Sequence, residues 1–350
     1  MKHSSPTLID TNSMEIAVNA IKGGSLVAFP TETVYGLGAD AFNAQAVERV
    51  YHAKGRPGDN PLILHVATIS QFLQLIEAPQ SYVLALAQAF WPGALTLVAK
   101  KAQIMPAWVG GHPNNTTSTI GVRIPSHPVA LEFLRKVNAP IAAPSANKSG
   151  RPSPTSAQHV VDDFASTPEV GFVLQGDNSA IGIESTVIDV TGDMPVILRP
   201  GAITQEMVED VISEKLESII HLSKDEKPRS PGMKYRHYAP KAPVTILEGN
   251  MQSIVHYISN ACVDNECIKI GVLAAADVNK CLAQCAYNNI ILLDQGDSLS
   301  DVASKLFRQL REFDNLQVDK IYVQAVEDAG FGTAIMDRMR KAASGNIMKL

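Results

Sequence analysis

No stretch of this 350-residue sequence approaches the ~18 consecutive apolar residues that a membrane-spanning helix requires. Its start, MKHSSPTLIDTNS, has no apolar core of the secretory type. Cysteine is scarce: Cys262, Cys267, Cys281 and Cys285 all fall in the last hundred residues, and their spacings fit no common zinc pattern. Buried thiols are expected from them, not disulfides, and the compartment read from these absences is the cytoplasm. Basic residues are outnumbered, 30 Lys and Arg against 35 Asp and Glu, for a net charge of −5. That balance argues against a protein held on nucleic acid by bulk electrostatics, although a local basic face is compatible with it. Familiar catalytic signatures are missing too. There is no G-x-x-x-x-G-K-[ST], no H-E-x-x-H and no G-x-S-x-G, which leaves out a P-loop, a zincin helix and a hydrolase nucleophile elbow.

What is present divides into three parts. Residues 1–216 alternate short apolar runs with helical patterns: GSLVAFPT (24–31), PLILHVA (61–67), ALTLVAKK (94–101), STIGVRIPS (118–126), APIAAPSA (139–146), GFVLQG (171–176), STVIDV (185–190) and PVILRPG (195–201) all read as strands. So many strands with few helices between them predict a twisted mixed α/β sheet. Residues 217–243 are polar, basic and proline-rich, the composition of a linker, yet they gather Met233, Tyr235, His237 and Tyr238 closely enough to suggest a docking segment. From 244 to 350, strands at 244–249, 268–274, 289–294 and 319–326 are mostly separated by helical patterns. This pattern predicts a small Rossmann-like parallel α/β domain.

Gly36-Leu37-Gly38-Ala39-Asp40-Ala41 matches the dinucleotide fingerprint G-x-G-x-x-A. Pro30 and a long turn region precede it, however, and no acidic strand end follows about 20 residues later, so the match is weak. Stronger is a series of polar stretches at strand ends, where open α/β sheets hold ligands. Pro30-Thr31-Glu32-Thr33 is the first. In the second, HAKGRPGDNPLILHV, the cations Lys54 and Arg56 stand beside Gly55 and Gly58, which let backbone approach an anion. Arg123 lies in an apolar strand, where it needs an anionic ligand or an internal carboxylate. The small-residue loop Ala142–Ser153 supplies hydroxyls, amides and two cations. Glu184-Ser185-Thr186 and Leu198-Arg199-Pro200-Gly201 complete the set. Taken singly, each reads equally well as a turn, a cap or a solvated charge; five within about 170 residues point to one multivalent anion pocket.

With these residues in hand, the chain closely resembles the YrdC-type threonylcarbamoyl-AMP synthases in their long, two-domain form. The resemblance is carried by FPTETVYGLGADA, KGRPGDNPLILHV, TIGVRIPSHP, APSANKSGRPSPT, GIESTVIDV, ILRPGAI and SPGMKYRHYAPKAPV. It implies an enzyme, a nucleotidyltransferase that makes threonylcarbamoyl-adenylate and pyrophosphate from L-threonine, bicarbonate and ATP with Mg²⁺. A threonylcarbamoyl transferase machinery then uses the product to modify adenosine 37 of tRNA, and weak tRNA binding is among the implied contacts. By the same resemblance, Thr33, His65, Arg123, Ala143 and Ser185 form the threonine pocket. Arg56, Asn60, Thr119, Ser145, Ser153 and Arg199 touch ATP, joined by Tyr235 and His237 of the connector. Lys54 and Arg56 are the implied catalytic cations. Glu32 and Glu184 are acidic candidates for a metal held through water, although the metal ligands stay unassigned.

Two other readings compete. A carbamoyl-phosphate-dependent adenylate-forming enzyme on the same scaffold is disfavoured, since no C-x-x-C pairs occur and only about two dozen residues precede the first predicted strand. A non-catalytic RNA-binding module is disfavoured by the net charge and by the lack of basic runs with interleaved aromatics.

Overall fold

The computed structural model describes residues 5–216, 237–264, 267–285 and 287–350. Most of the expected linker, with Met233 and Tyr235, therefore lies outside the described residues. The chain divides into two compact units. The larger takes Met1–Ser149, Ser153–Ala180 and the stretch from Glu184, while the smaller takes Gly150–Pro152, Ile181–Ile183 and the C-terminal part ending at Leu350.

The larger unit is built on ten strands: β1 (Thr7–Ile9), β2 (Leu26–Phe29), β3 (Gly36–Asp40), β4 (Ile63–His65), β5 (Leu95–Lys100), β6 (Thr119–Arg123), β7 (Ile141–Ala142), β8 (Val170–Leu174), β9 (Thr186–Asp189) and β10 (Val196–Arg199). Their order is β1-β8-β2-β3-β7-β4-β6-β5-β9-β10. Parallel pairs (β4 with β6, β5 with β9) alternate with antiparallel ones (β5 with β6, β9 with β10), so the sheet is mixed as predicted.

Two of these strands are not among the predicted runs. The short β1 lies on the sheet edge. The other is β3, which is the G-x-G-x-x-A stretch itself. It runs antiparallel between β2 and β7 instead of turning around a dinucleotide. Gly38 is required there by packing, because a Cβ at this position would sit 2.8 Å from Ile141 Cγ2 and 3.0 Å from Phe29 Cε1.

Period-two alternation sorts the central strands. Leu62, Leu64, Leu95, Leu97, Ala99, Ile120, Val122 and Ile188 enter one large core on one sheet face. The opposite face is covered on one flank, where Val27, Phe29, Ile141 and Ala143 pack with residues of helices Met14–Lys22 and Pro128–Val137. Across the middle, that second face shows a different kind of residue. Alternation puts Ile63, His65, Thr96, Thr119, Gly121 and Arg123 there, all but Ile63 small or polar, opposite a wholly apolar core.

The smaller unit carries five strands: β11 (Val244–Glu248), β12 (Ile270–Ala274), β13 (Ile290–Asp294), β14 (Lys320–Gln324) and β15 (Ile347–Lys349). All its pairings are parallel, in the order β13-β12-β14-β11-β15. Strand β15 and the helix Ala276–Gln284 were not predicted individually. The cysteines correct one expectation. All four are free, but only Cys262 is buried, while Cys267 and Cys285 are exposed. No described helix is long and apolar enough to cross a membrane.

Candidate active site

The cationic loop begins where a helix is made to stop. Helix Ala44–Lys54 is capped at its start by the Asn43 side chain, which accepts from the Ala46 N–H. It ends at Gly55 in the left-handed conformation, φ 61°, which costs little only for glycine. Lys54 is thereby turned inward and buried, and its Nζ donates to the carbonyls of Ser145 and Asn147. Arg56 folds over its own loop: Nε donates to the Asn60 carbonyl at 3.1 Å and Nη2 to the Pro61 carbonyl at 2.7 Å. The Tyr51 hydroxyl joins them on Asn60 at 3.0 Å. Asn60 itself is buried, and its side-chain oxygen finds no hydrogen-bond partner. A loop that looks like a flexible basic turn in sequence is thus rigidly braced.

The strand after this loop delivers His65. It lies opposite Arg123 across the parallel β4–β6 pair and opposite Ile141 across the antiparallel β4–β7 pair. Arg123 is 4% exposed and is held three ways. Its Nε donates to the Gly93 carbonyl at 3.1 Å and its Nη1 to Thr33 Oγ1 at 2.7 Å, while Nη2 lies 2.7 Å from Glu32 Oε1. The last contact is a buried ion pair. So the internal carboxylate that a buried arginine requires is Glu32. Burial raises the Glu32 carboxyl's pKa, but the charge and hydrogen bonding of Arg123 outweigh burial and hold it below the ordinary value. His65 responds in the opposite sense. Burial and then the Arg123 charge depress its pKa to about 3, so the imidazole is neutral, and its Nδ1 has no hydrogen-bond partner. Phe29 meets the His65 ring edge-on at 5.6 Å.

Backbone pairing binds the flanking loops together. The Thr33 hydroxyl lies 2.9 Å from that of Thr31. Tyr35 N–H donates to the Pro154 carbonyl, and the Tyr35 carbonyl accepts from Ala146 N–H at 2.7 Å. One buried residue therefore ties the 30–35 loop to both the 143–147 and the 153–155 loops. Ser145 forms a bridge with Gly36. The Ala143 N–H is taken by the Ile63 carbonyl at 2.9 Å, so this amide is committed to the sheet.

A second constellation gathers around β9. Ser153 Oγ donates to Glu184 Oε1, and Ser185 Oγ lies 2.8 Å from Thr96 Oγ1. Arg199 reaches the Ser185 carbonyl with both Nε and Nη2, at 3.1 and 2.9 Å, and Ser185 Oγ with Nη2 at 3.2 Å. The close approach depends on Gly201, where a Cβ would lie 2.2 Å from the Thr186 nitrogen. Thr119 opens β6 with its N–H on Thr117 Oγ1 at 3.3 Å.

The structure thus joins Thr33, His65 and Arg123 in one hydrogen-bonded or registered group, Ser153, Ser185 and Arg199 in a second, and Lys54 with Ser145 in a third. Tyr235 lies outside the described residues. His237 is half-buried and packs against Tyr238, with ring centroids 5.5 Å apart. Sequence reasoning gave no part in the site to Thr96 or the Gly93 carbonyl. Thr96 alternates with the core residues Leu95 and Leu97, a placement that could have revealed it. Glu32 and Glu184, the acidic candidates for a metal held through water, are engaged with Arg123 and Ser153. Among the described residues no three His, Cys, Asp or Glu side chains gather as a metal site.

Fold and site together define an α/β protein with a polar, cation-lined sheet face. Residues 19–201 match the Sua5/YciO/YrdC family model, described as telomere recombination, and residues 203–344 match the threonylcarbamoyl-AMP synthase C-terminal domain. The chain belongs to the Sua5/YciO/YrdC family. It is 41% identical over 345 residues to the threonylcarbamoyl-AMP synthase of Pyrococcus abyssi, covering 98% of this chain and 97% of that one. Its identity to the Bacillus subtilis threonylcarbamoyl-AMP synthase is 42% over 357 residues, covering 97% and 96%. The solved structure of P. abyssi Sua5 complexed with L-threonine matches with a TM-score of 0.88 at 40% identity, over 98% of this chain and 99% of that one.

Proposed function

We propose that this chain is an L-threonylcarbamoyladenylate synthase, a nucleotidyltransferase acting on L-threonine, bicarbonate and ATP. The observation that carries the reading is the Thr33–Arg123–His65 group on the small-residue middle of the sheet face. A guanidinium fixed by three partners is set to receive a carboxylate, and a neutral imidazole with an unpartnered nitrogen is set to take a hydroxyl or amine. Full-length similarity to threonylcarbamoyl-AMP synthases supports the same conclusion.

In this reading the threonine α-carboxylate meets Arg123, and His65, Thr33, Ser185 and the chain around Ala143 surround the rest of the amino acid. The threonine amine adds to carbon dioxide derived from bicarbonate and loses a proton, giving a carbamate. A carbamate oxygen attacks the α-phosphorus of ATP, and the bond to the β-phosphate oxygen breaks to release pyrophosphate. No covalent enzyme intermediate is needed, so positioning and cationic stabilisation carry the catalysis. Lys54 and Arg56 supply positive charge at the phosphates and hold the 145–147 and 60–61 backbone that cradles them. Asn60, Thr119, Ser145 and Ser153 line the nucleotide, with Arg199 fixing Ser185. Mg²⁺ enters with ATP, bound through phosphate oxygens and water, in keeping with its preference for retaining waters. The product passes to the transferase machinery that modifies tRNA.

The test is incubation with labelled bicarbonate, ATP and Mg²⁺, with and without L-threonine, while pyrophosphate and labelled adenylate are measured. Product that requires both threonine and bicarbonate supports the proposal. Folded protein that yields no threonine-dependent product overturns it.

A further inference from the structure

Strands β5 and β6 are antiparallel neighbours, which a two-residue turn can join, yet residues 101–118 lie between them without a helix. Ordered connections of this length are uncommon in a compact domain and are usually functional. This one is organised around a single cation. Lys101, 9% exposed, turns its Nζ onto the carbonyls of Pro106, Ala107 and Val109, at 2.9, 2.6 and 3.4 Å. No carboxylate among the described residues pairs with it, and burial lowers its pKa. An ammonium taken out of water and met only by carbonyls is costly to keep. Here it fixes the path of the loop.

That path borders the nucleotide side of the proposed site. Just past Val109, the Gly110 carbonyl accepts from Leu62 N–H at 3.0 Å. Asn115 Nδ2 donates to the Gly58 carbonyl at 2.8 Å. The His112 ring meets Tyr51 edge-on at 4.8 Å, and the Tyr51 hydroxyl in turn holds the Asn60 carbonyl. The loop thus grips the 58–62 backbone on either side of Asn60, the same backbone that Arg56 braces. Its far end closes on β6, where Thr117 Oγ1 donates to the Thr119 carbonyl at 2.7 Å. Arg56, Asn60 and Thr119, all assigned to ATP above, therefore adjoin one loop.

We propose that Lys101 is a positioning residue for ATP: by fixing residues 106–109 it holds the loop that sets the 58–62 backbone and Thr119 at the nucleotide. The assignment rests on the synthase reading for the identity of the ligand. Its effect is separable from the stability of the fold. Val109 is buried, and Met105 and Trp108 pack on the main core, so apolar contacts keep the loop attached without the ammonium. The Pro106 and Ala107 carbonyls also retain backbone donors, Val109 N–H at 3.1 Å and Thr117 N–H at 3.0 Å. The threonine side is held from elsewhere, since Thr33 and Arg123 hydrogen-bond to each other, to Thr31 and to the Gly93 carbonyl.

The experiment compares the full chain with two variants. Lys101→Met keeps an unbranched side chain and removes the donors, while Asn115→Ala is an exposed change that frees only the Gly58 carbonyl. ATP binding by calorimetry, KM for ATP and for L-threonine, melting temperature and amide hydrogen exchange are measured. Lys101→Met should weaken ATP binding and raise its KM about tenfold, the scale of one charge-assisted hydrogen bond, and Asn115→Ala about threefold. Exchange should quicken in peptides spanning 58–62 and 102–119, while kcat and KM for L-threonine stay at the wild-type level. The combined variant should fall short of the product of the two effects, because both act through one loop. Unchanged ATP binding and exchange in both variants overturn the assignment and leave the synthase reading standing. Parallel losses for ATP and threonine that track a lower melting temperature reduce Lys101 to a role in the fold and overturn it as well. If Lys101→Met fails to fold, Asn115→Ala decides alone, and ATP binding equal to the wild type overturns the assignment. Wild-type protein that binds no ATP overturns both readings.

Discussion

His65 and Arg123 face each other across the β4–β6 pair, and the charge of one helps to keep the other neutral. This relationship contributes to the acid sensitivity of the protein. His65 titrates near 6.5 when unfolded but only near 3 in the fold. Between those values the unfolded chain binds the extra proton, so His65's contribution to stability is complete above about pH 6.5 and is lost as the pH falls toward 3. Denaturant midpoints measured from pH 7.5 to 4.5 should fall with pH, and His65→Asn should flatten that slope. An unchanged slope in the variant would refute the assignment.

The Glu32–Arg123 pair is buried, so removing one partner strands the other. Arg123→Ala should cost about 3–5 kcal/mol in urea unfolding, because the Glu32 carboxylate is left uncompensated. Glu32→Gln combined with Arg123→Ala should recover part of that loss. Simple additivity of the two changes would contradict a direct pair. Because the Glu32 pKa is lowered in the fold, its share of stability is present above the ordinary carboxylate range and disappears as pH falls through the depressed value.

In the proposed threonine pocket, Thr96 positions Ser185. Thr96→Val keeps the shape and removes the hydroxyl that lies 2.8 Å from Ser185 Oγ. With a net hydrogen-bond contribution of about 1 kcal/mol, KM for L-threonine should rise roughly fivefold, with kcat near wild type. A change confined to the melting temperature would assign Thr96 to the fold alone.

Lys54 holds the Ser145–Asn147 backbone and contributes charge at the proposed phosphate position. Lys54→Met should lower kcat/KM for ATP by roughly two orders of magnitude, the scale of losing one electrostatic donor. Fluorescence titration of L-threonine should remain close to wild type. Equal loss of both ligands would show that the loop supports the whole pocket.

Gly38 tests the packing of β3. Gly38→Ala would press a methyl group against Ile141 and Phe29 and should cost about 1–3 kcal/mol by denaturant unfolding. A neutral result would mean that the sheet relaxes at this point.

Much was legible in the sequence because it depends on local order. Apolar runs bounded by Gly and Pro announced most strands, and the regular βα spacing after residue 244 announced the parallel sheet. The motif residues announced the family. Strand β3 was missed because Gly36 and Gly38 carry no side-chain signal for a strand; their reason lies in Phe29, Ile141 and Ala143, which belong to other elements. Residue type alone marked Arg123 as needing a partner but could not say whether an internal carboxylate reaches it. That depends on a loop 90 residues away bringing Glu32 and Thr33 to it.

By itself, then, the sequence determined the element types, the chemical inventory and the family, since periodicity and motif order are properties of the chain. Only the tertiary structure decided which cations brace backbone, which imidazole is neutral and which glycines are compelled. These are consequences of burial and of neighbours distant in sequence, and neither exists until the sheet has closed around them.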